Sequence, residues 1–197
     1  MPGWETSFFL PDHGLAWSKA AYGALLRSAE SEGASVLLEK TPKHIHCVPR
    51  IRRLLPHARF LLITRNPLDT CASLYRRFGD LDYAIERWNL DGTASLKLRK
   101  DPLTLTVRYE SLTHDPSNEF RRAAEFLGLP WSSVAIEPGD TAYSTQAAEA
   151  NMLRRAEEVA AEVLPRVGGW QSVLTSDQVA QVRESTRSLA KHLDYLS

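Results

Sequence analysis

A chain of 197 residues, 43% hydrophobic and 24% charged, is long enough for a two-sided core and holds no apolar run near the ~20 residues of a membrane-spanning helix. Its 24 cationic and 24 anionic residues cancel, which excludes the basic excess of a general nucleic-acid or anionic-membrane binder. Two cysteines, Cys47 and Cys71, form neither a disulfide framework nor a CxxC metal pair, and Met1–Ser18 lacks the basic start and cleavage pattern of a signal peptide. A reducing cytoplasm is the expected compartment.

Residues 1–17 carry no periodicity and read as irregular. A helix is expected over Ala16–Glu32, ending at Gly33. The apolar run Val36-Leu37-Leu38 reads as a short buried strand that ends at Glu39-Lys40-Thr41-Pro42. A second helix follows, with Ile45, Val48, Ile51 and Leu55 on one face and Pro56 just beyond. Arg59–Thr64 is the strongest strand signal, apolar through its middle and so expected to be central and covered on both faces. It stops at Arg65-Asn66-Pro67, where Asn66 suits an N-cap, Pro67 a first helical position and Asp69 a first turn. Cys71, Leu74, Tyr75 and Phe78 form the apolar face of the helix so begun; Cys71 is expected to be inert there. Tyr83–Leu98 reads as another helix with Ile85 and Trp88 as anchors, and Leu103–Tyr109 as a third strand. Glu110-Ser111-Leu112 then connects to a helix that starts at Asp115-Pro116, runs to Leu127 and closes at Gly128. Residues 130–145 are read as irregular, in composition a lid, and a charged helix is expected from about Ser144 to Leu164. Thr175 and Gln178 form a capping box for a last amphipathic helix with Val179, Val182, Leu189 and Leu193.

Strands alternating with helices call for an α/β fold, a parallel sheet flanked by helices, within a single domain over 1–197. Ligands of such sheets bind beyond the carboxyl ends of the strands. Three strand ends carry polar groups there: Lys40, Arg65, and Arg108 with Tyr109. Cations converging beside a helix N-terminus suit a polyanion, with Arg65 able to grip a phosphate bidentately, Ser73 two turns into the helix, and Tyr109 offering a ring to a base. His44, His46 and Cys47 are too closely spaced for a tetrahedral site and have no partner cluster, so no metal is expected. The basic run Lys43, Arg50, Arg52, Arg53 reads as a solvated helix face.

These residues carry a resemblance. Glu39-Lys40-Thr41-Pro42, then Pro56-His57-Ala58-Arg59-Phe60 leading to Arg65-Asn66-Pro67 and Ser73, resembles the central block of sulfotransferases that use 3′-phosphoadenosine 5′-phosphosulfate (PAPS). Val107–Leu112, Asp115-Pro116 and Glu125–Leu129 are similar to that family's next block, and Arg166-Val167-Gly168-Gly169-Trp170 to its late basic, glycine-containing segment. The resemblance runs from about residue 35 to the end, in four blocks of matching order. It implies a P-loop-NTPase-like fold, PAPS as cosubstrate, and binding of the 3′-phosphate by Arg65 and Ser73. Tyr109 would lie near the adenine, and Arg166 with Gly168 would close over the phosphate. For the chemical step Lys40 fits as the cation that stabilises charge around the transferred sulfuryl group, and His44, ahead of His46, as the base.

The family also opens with a strand and a P-R-S-G-T-T-like loop that holds the 5′-phosphosulfate, and no such run exists here. The expectation is therefore an N-terminally truncated or split enzyme, or a drifted relative that binds a nucleotide or a partner without turnover. A homodimer, or a missing N-terminal segment, would complete the sheet. The acceptor, a hydroxyl or an amine, is left open.

Overall fold

The computed structural model describes residues 9–31, 33, 36–131 and 167–196. They fall into two units, Met1–Ala58 and Arg59–Ser197.

In the first unit α1 spans Leu15–Ser31. It stops at Gly33, whose φ of +73° is the left-handed conformation that favours glycine. The one buried side chain of α1 is Ser18, which donates to the Gly14 carbonyl at 3.2 Å and accepts from Arg50 Nη2 at 3.1 Å. Arg50 also donates to the His13 carbonyl. It therefore anchors the start of α1 rather than belonging to a solvated face.

Val36–Lys40 has no regular structure, so the strand expected at 36–38 is not formed. Val36 is 51% and Leu38 78% exposed. An apolar tripeptide becomes a buried strand only with a neighbour to pair with, and among the described residues this one has none. The helix expected around Ile45–Leu55 is split into a 3₁₀ helix, Pro42–Cys47, and α2, Val48–Leu54. Pro49 is the cause: its ring would clash with the carbonyl four residues back, so an α-helix has to begin at it rather than run through it.

In the second unit β1, Phe60–Thr64, and β2, Thr104–Arg108, pair in parallel from Phe60↔Thr104 to Thr64↔Arg108. The strand β1 is not covered on both faces as expected. Leu62 is buried, but Ile63, pointing the other way, is 65% exposed. Helix α3, Pro67–Phe78, is capped by Asn66, whose side chain accepts from the Leu68 amide at 2.8 Å, and it ends at Gly79 with φ +75°. Helix α4, Leu81–Leu98, is capped by Asp80 through the Tyr83 amide at 2.9 Å.

After β2 the connection read as a link is a short helix, α5, Tyr109–His114. Pro116 separates it from α6, Pro116–Leu127, which is capped by Asp115 at 3.1 Å from the Asn118 amide. A 3₁₀ turn at Gly169–Ser172 precedes α7, Ser176–His192, whose Thr175–Gln178 capping box is formed as expected. The charged helix and the lid expected between residues 130 and 164 lie almost entirely outside the described residues.

The core of this unit lies where α3, α4 and α7 meet. Cys71 and Ala72 of α3, Ala84, Ile85 and Trp88 of α4, and Val182 and Ala190 of α7 are all buried in it. Two small residues on α3 and one each on α4 and α7 let the helix backbones approach closely, with the indole of Trp88 buried among them. No helix among the described residues is long and apolar enough to cross a membrane.

Candidate functional site

The parallel register decides which site residues meet. Thr64 and Arg108 are the last paired residues, so the residues that follow them, Arg65 and Tyr109, leave the same sheet edge side by side. The Arg65 guanidinium lies over the Tyr109 ring, 4.3 Å from its centroid, a cation–π contact. The Arg65 carbonyl accepts the Trp88 indole N–H at 3.0 Å, and the next amide, of Asn66, donates to Glu110 Oε1 at 2.7 Å. Residue 65 is thus fixed on three sides: carbonyl, following amide and side chain. Neither Trp88, read as packing, nor Glu110, read as a link, was singled out for this from the sequence.

Arg65 opens onto a cleft of about 250 Å³ between the end of β1 and the facing sides of α3 and α4. Its polar lining includes Thr70 and Ser73 from α3 and Arg87, Asp91 and Ser95 from α4. Of the four hydroxyls in the lining, Thr70 donates to the Asn66 carbonyl and Ser95 to that of Asp91, each at 3.0 Å, and Thr64 accepts from Tyr195. The exposed Ser73 hydroxyl makes no hydrogen bond to a described residue. An anion seated beside Arg65 therefore finds a donor aimed into the cleft, which is the fit that a phosphate requires.

Arg108 does not join this group. Its guanidinium lies 4.3 Å from the Tyr195 ring centroid and donates to the Asp194 carbonyl at 3.2 Å. Of the two strand-end arginines expected together at this edge, Arg108 is therefore engaged elsewhere, and within this unit Arg87 is a cation that shares the cleft with Arg65.

Tyr195 in turn donates to Thr64 Oγ1 at 3.0 Å. Burial pushes its hydroxyl up to about 12, with the Thr64 hydrogen bond and Arg108 opposing and Glu110 reinforcing the rise. Burial alone pushes the Cys71 thiol from 9.0 to about 12. Both groups ionise in the unfolded chain before they do in the folded one, so above the ordinary thiol value the unfolded state binds fewer protons. Their contributions are complete below pH 9 and disappear as the pH climbs towards 12. The expected result is a urea midpoint that falls steadily above pH 9, less steeply in Cys71→Ala and in Tyr195→Phe. An alkaline midpoint that neither variant alters refutes it.

Gly168 sits at φ +79° ahead of the 3₁₀ turn, so only glycine takes this conformation without strain. Its amide is already engaged, donating to Asp69 Oδ2 at 3.0 Å, while the Trp170 amide donates to Asp69 Oδ1 at 3.2 Å. Asp69, read as a complement to the helix dipole, is buried and ties the late segment to the first turn of α3. Asp69→Asn keeps one acceptor and loses the other, so a loss of about 1–2 kcal/mol in urea unfolding is expected. An unchanged midpoint would show that the two bonds add nothing to stability. Arg166 lies outside the described residues.

Lys40 and His44 belong to the first unit. Lys40 is exposed on the irregular stretch and does not terminate a strand. His44 is buried rather than on a solvated helix face. Its Nδ1 is 2.7 Å from Glu39 Oε2, and Thr41 donates to Glu39 Oε1 at 2.6 Å. In the neutral imidazole, a hydrogen bond donated by Nδ1–H to the Glu39 carboxylate leaves Nε2 as the acceptor nitrogen. That Nε2 is buried and has no hydrogen-bond partner among the described residues. Phe9 packs edge-on against the ring, centroids 5.3 Å apart. His46 is exposed.

The family model described as the sulfotransferase family matches residues 11–133, more than half of the chain. This chain belongs to the sulfotransferase family. It is 24% identical over 175 residues to protein-tyrosine sulfotransferase A of Caenorhabditis elegans, a stretch that covers 81% of this chain and 44% of that relative. The chain thus spans less than half the length of this curated sulfotransferase. Among solved structures it is similar to the sulfotransferase domain from the curacin biosynthetic pathway, with a TM-score of 0.68, 18% identity, and coverage of 91% of this chain and 68% of that one. The sulfotransferase domain from the Synechococcus PCC 7002 olefin synthase gives 0.67, 22%, 91% and 65%. These structures share the fold of this sulfotransferase-family chain, an α/β arrangement with a parallel sheet flanked by helices.

Proposed function

We propose that this chain binds PAPS and serves the transfer of its sulfuryl group to a hydroxyl or amine acceptor. Arg65 and Ser73 take the 3′-phosphate, and Tyr109 lies towards the adenine. The observation that carries this reading is the pairing of Arg65, held at three points, with a Ser73 hydroxyl that no described residue engages, both opening into one cleft at the carboxyl edge of a parallel strand pair. A fixed guanidinium beside a helix N-terminus suits a phosphomonoester, because donors already in place need no reorganisation when the anion arrives.

In the transfer itself the acceptor atom bonds to sulfur while the bond from sulfur to the bridging phosphate oxygen breaks. The acceptor proton goes to a base and adenosine 3′,5′-bisphosphate leaves. His44 is assigned as the base, with Glu39 holding the Nδ1 proton so that Nε2 accepts. Lys40 is assigned to the charge that develops on the bridging oxygen. A relative named for protein tyrosine supports a hydroxyl acceptor.

The test is a calorimetric titration of the full chain with adenosine 3′,5′-bisphosphate and, separately, with AMP. A preference of about tenfold or more for the bisphosphate is expected from the 3′-phosphate contacts. Equal affinity for the two nucleotides, or no binding by a folded chain, overturns the reading.

A further inference from the structure

Helix α4 turns Trp88, Asp91, Gly92 and Ser95 towards the cleft, positions one turn apart along one face, with Arg87 at its border. Most polar atoms on this wall are already committed: the Trp88 indole N–H to the Arg65 carbonyl, and the Ser95 hydroxyl to its own helix. Arg87 is different. Its Nε donates to Asp91 Oδ2 at 2.7 Å, and its two terminal amino groups make no hydrogen bond to any described residue. The side chain is only 22% exposed, so the guanidinium is packed in place rather than trailing in solvent. A guanidinium held only through Nε presents its outer pair of N–H groups as a fork, the arrangement that grips two oxygens of one phosphate.

We propose that Arg87, held by Asp91, is a second cation on the 3′-phosphate, closing from α4 on the oxygens that Arg65 and Ser73 take from the other side. The assignment rests on the nucleotide reading given above and extends it to a residue outside the family blocks found in the sequence. Two arginines lining one cleft suit a doubly charged phosphomonoester, since one guanidinium compensates only one of its charges. Asp91 does not cancel this. Its carboxylate engages the Nε edge, and its function is to fix the plane of the fork, which costs less rotamer entropy on binding than a free arginine would.

The experiment is the same pair of titrations, adenosine 3′,5′-bisphosphate and AMP, on the wild type, Arg87→Gln, Arg87→Lys and Arg65→Ala, with thermal midpoints as the folding control. Arg87→Gln is expected to lose about tenfold of bisphosphate affinity, a loss of the size of one charge-assisted hydrogen bond, with AMP affinity unchanged. Arg87→Lys, which retains the charge without the fork, falls between the two, and it carries the test if the glutamine variant does not fold. Bisphosphate binding unaltered in Arg87→Gln while Arg65→Ala has lost its preference overturns this assignment and leaves the nucleotide reading standing. An equal loss for both nucleotides also overturns it, because a merely structural role has no reason to single out the 3′-phosphate. A wild-type chain without the preference overturns the nucleotide reading and this assignment with it.

Discussion

Arg65→Ala is expected to weaken binding of adenosine 3′,5′-bisphosphate by about a hundredfold while AMP affinity changes by no more than a few-fold. The size follows from what is removed: a bidentate, charge-assisted contact worth about 2–3 kcal/mol, where tenfold in affinity is ~1.4 kcal/mol. The fold loses much less. The bonds that hold residue 65 run through its carbonyl to Trp88 and through the Asn66 amide to Glu110, and both survive truncation of the side chain. The truncation removes the stack on Tyr109, which contributes about 0.5–1 kcal/mol at a partly exposed position. Arg65→Lys separates charge from geometry, since a lysine supplies a cation but neither the planar fork nor the stack. Its affinity belongs between those of alanine and wild type. Paired titrations and a thermal midpoint read all of this; a bisphosphate affinity in Arg65→Ala within a few-fold of wild type refutes the role given to this arginine.

Trp88→Ala is expected to destabilise the second unit by about 3–5 kcal/mol in urea unfolding, the cost of emptying a large aromatic site in a packed core. Trp88 is buried in one cluster with Leu68, Cys71 and Ala72 of α3, of which Cys71 and Ala72 are too small to refill an indole's volume. The indole also supplies the N–H that holds the Arg65 carbonyl, so its two functions need separate variants. Trp88→Phe retains much of the volume and removes the donor. Its expected stability loss is about 1–2 kcal/mol, from repacking and a carbonyl left without its partner. Its expected signature is a bisphosphate affinity that falls with little change for AMP, because the strand end beneath Arg65 is no longer fixed. A phenylalanine variant that binds both nucleotides like wild type would show that the hydrogen bond contributes to packing alone.

How much of this was legible from the sequence depends on how local each cause is. The start of α3 was readable because Asn66, Pro67 and the strand before them are neighbours in the chain, and all three took the expected positions. The capping box at Thr175 and Gln178 was readable for the same reason. Arg65 and Tyr109 were correctly placed at one edge because two parallel strands of five residues end in register. Arg87 was not readable as part of the cleft. An arginine four residues before an aspartate on a helix reads as a surface pair, and only the packing of α4 against α3 turns it inward. Val36–Leu38 failed in the opposite direction, since an apolar run states a preference for burial but cannot name the strand that would pair with it. The chemistry of Asp69 escaped for the same reason as that of Arg87: its partners, Gly168 and Trp170, lie about a hundred positions further on.

That last separation governs when the site exists during synthesis. The two bonds from Asp69 join residues 99 and 101 positions apart, so they close a loop that spans half the chain. Closure entropy grows with the logarithm of loop length, and contacts of this span form late in folding. On a ribosome β1 and α3 emerge long before Trp170, and until it arrives Asp69 has only water to accept from. The nascent chain therefore passes through a stage in which Arg65 is already exposed while the segment at Gly168 is still unsynthesised. On the proposed nucleotide reading, ligand bound after that point favours the folded form by mass action, so ligand supply during expression is expected to raise the yield of folded protein.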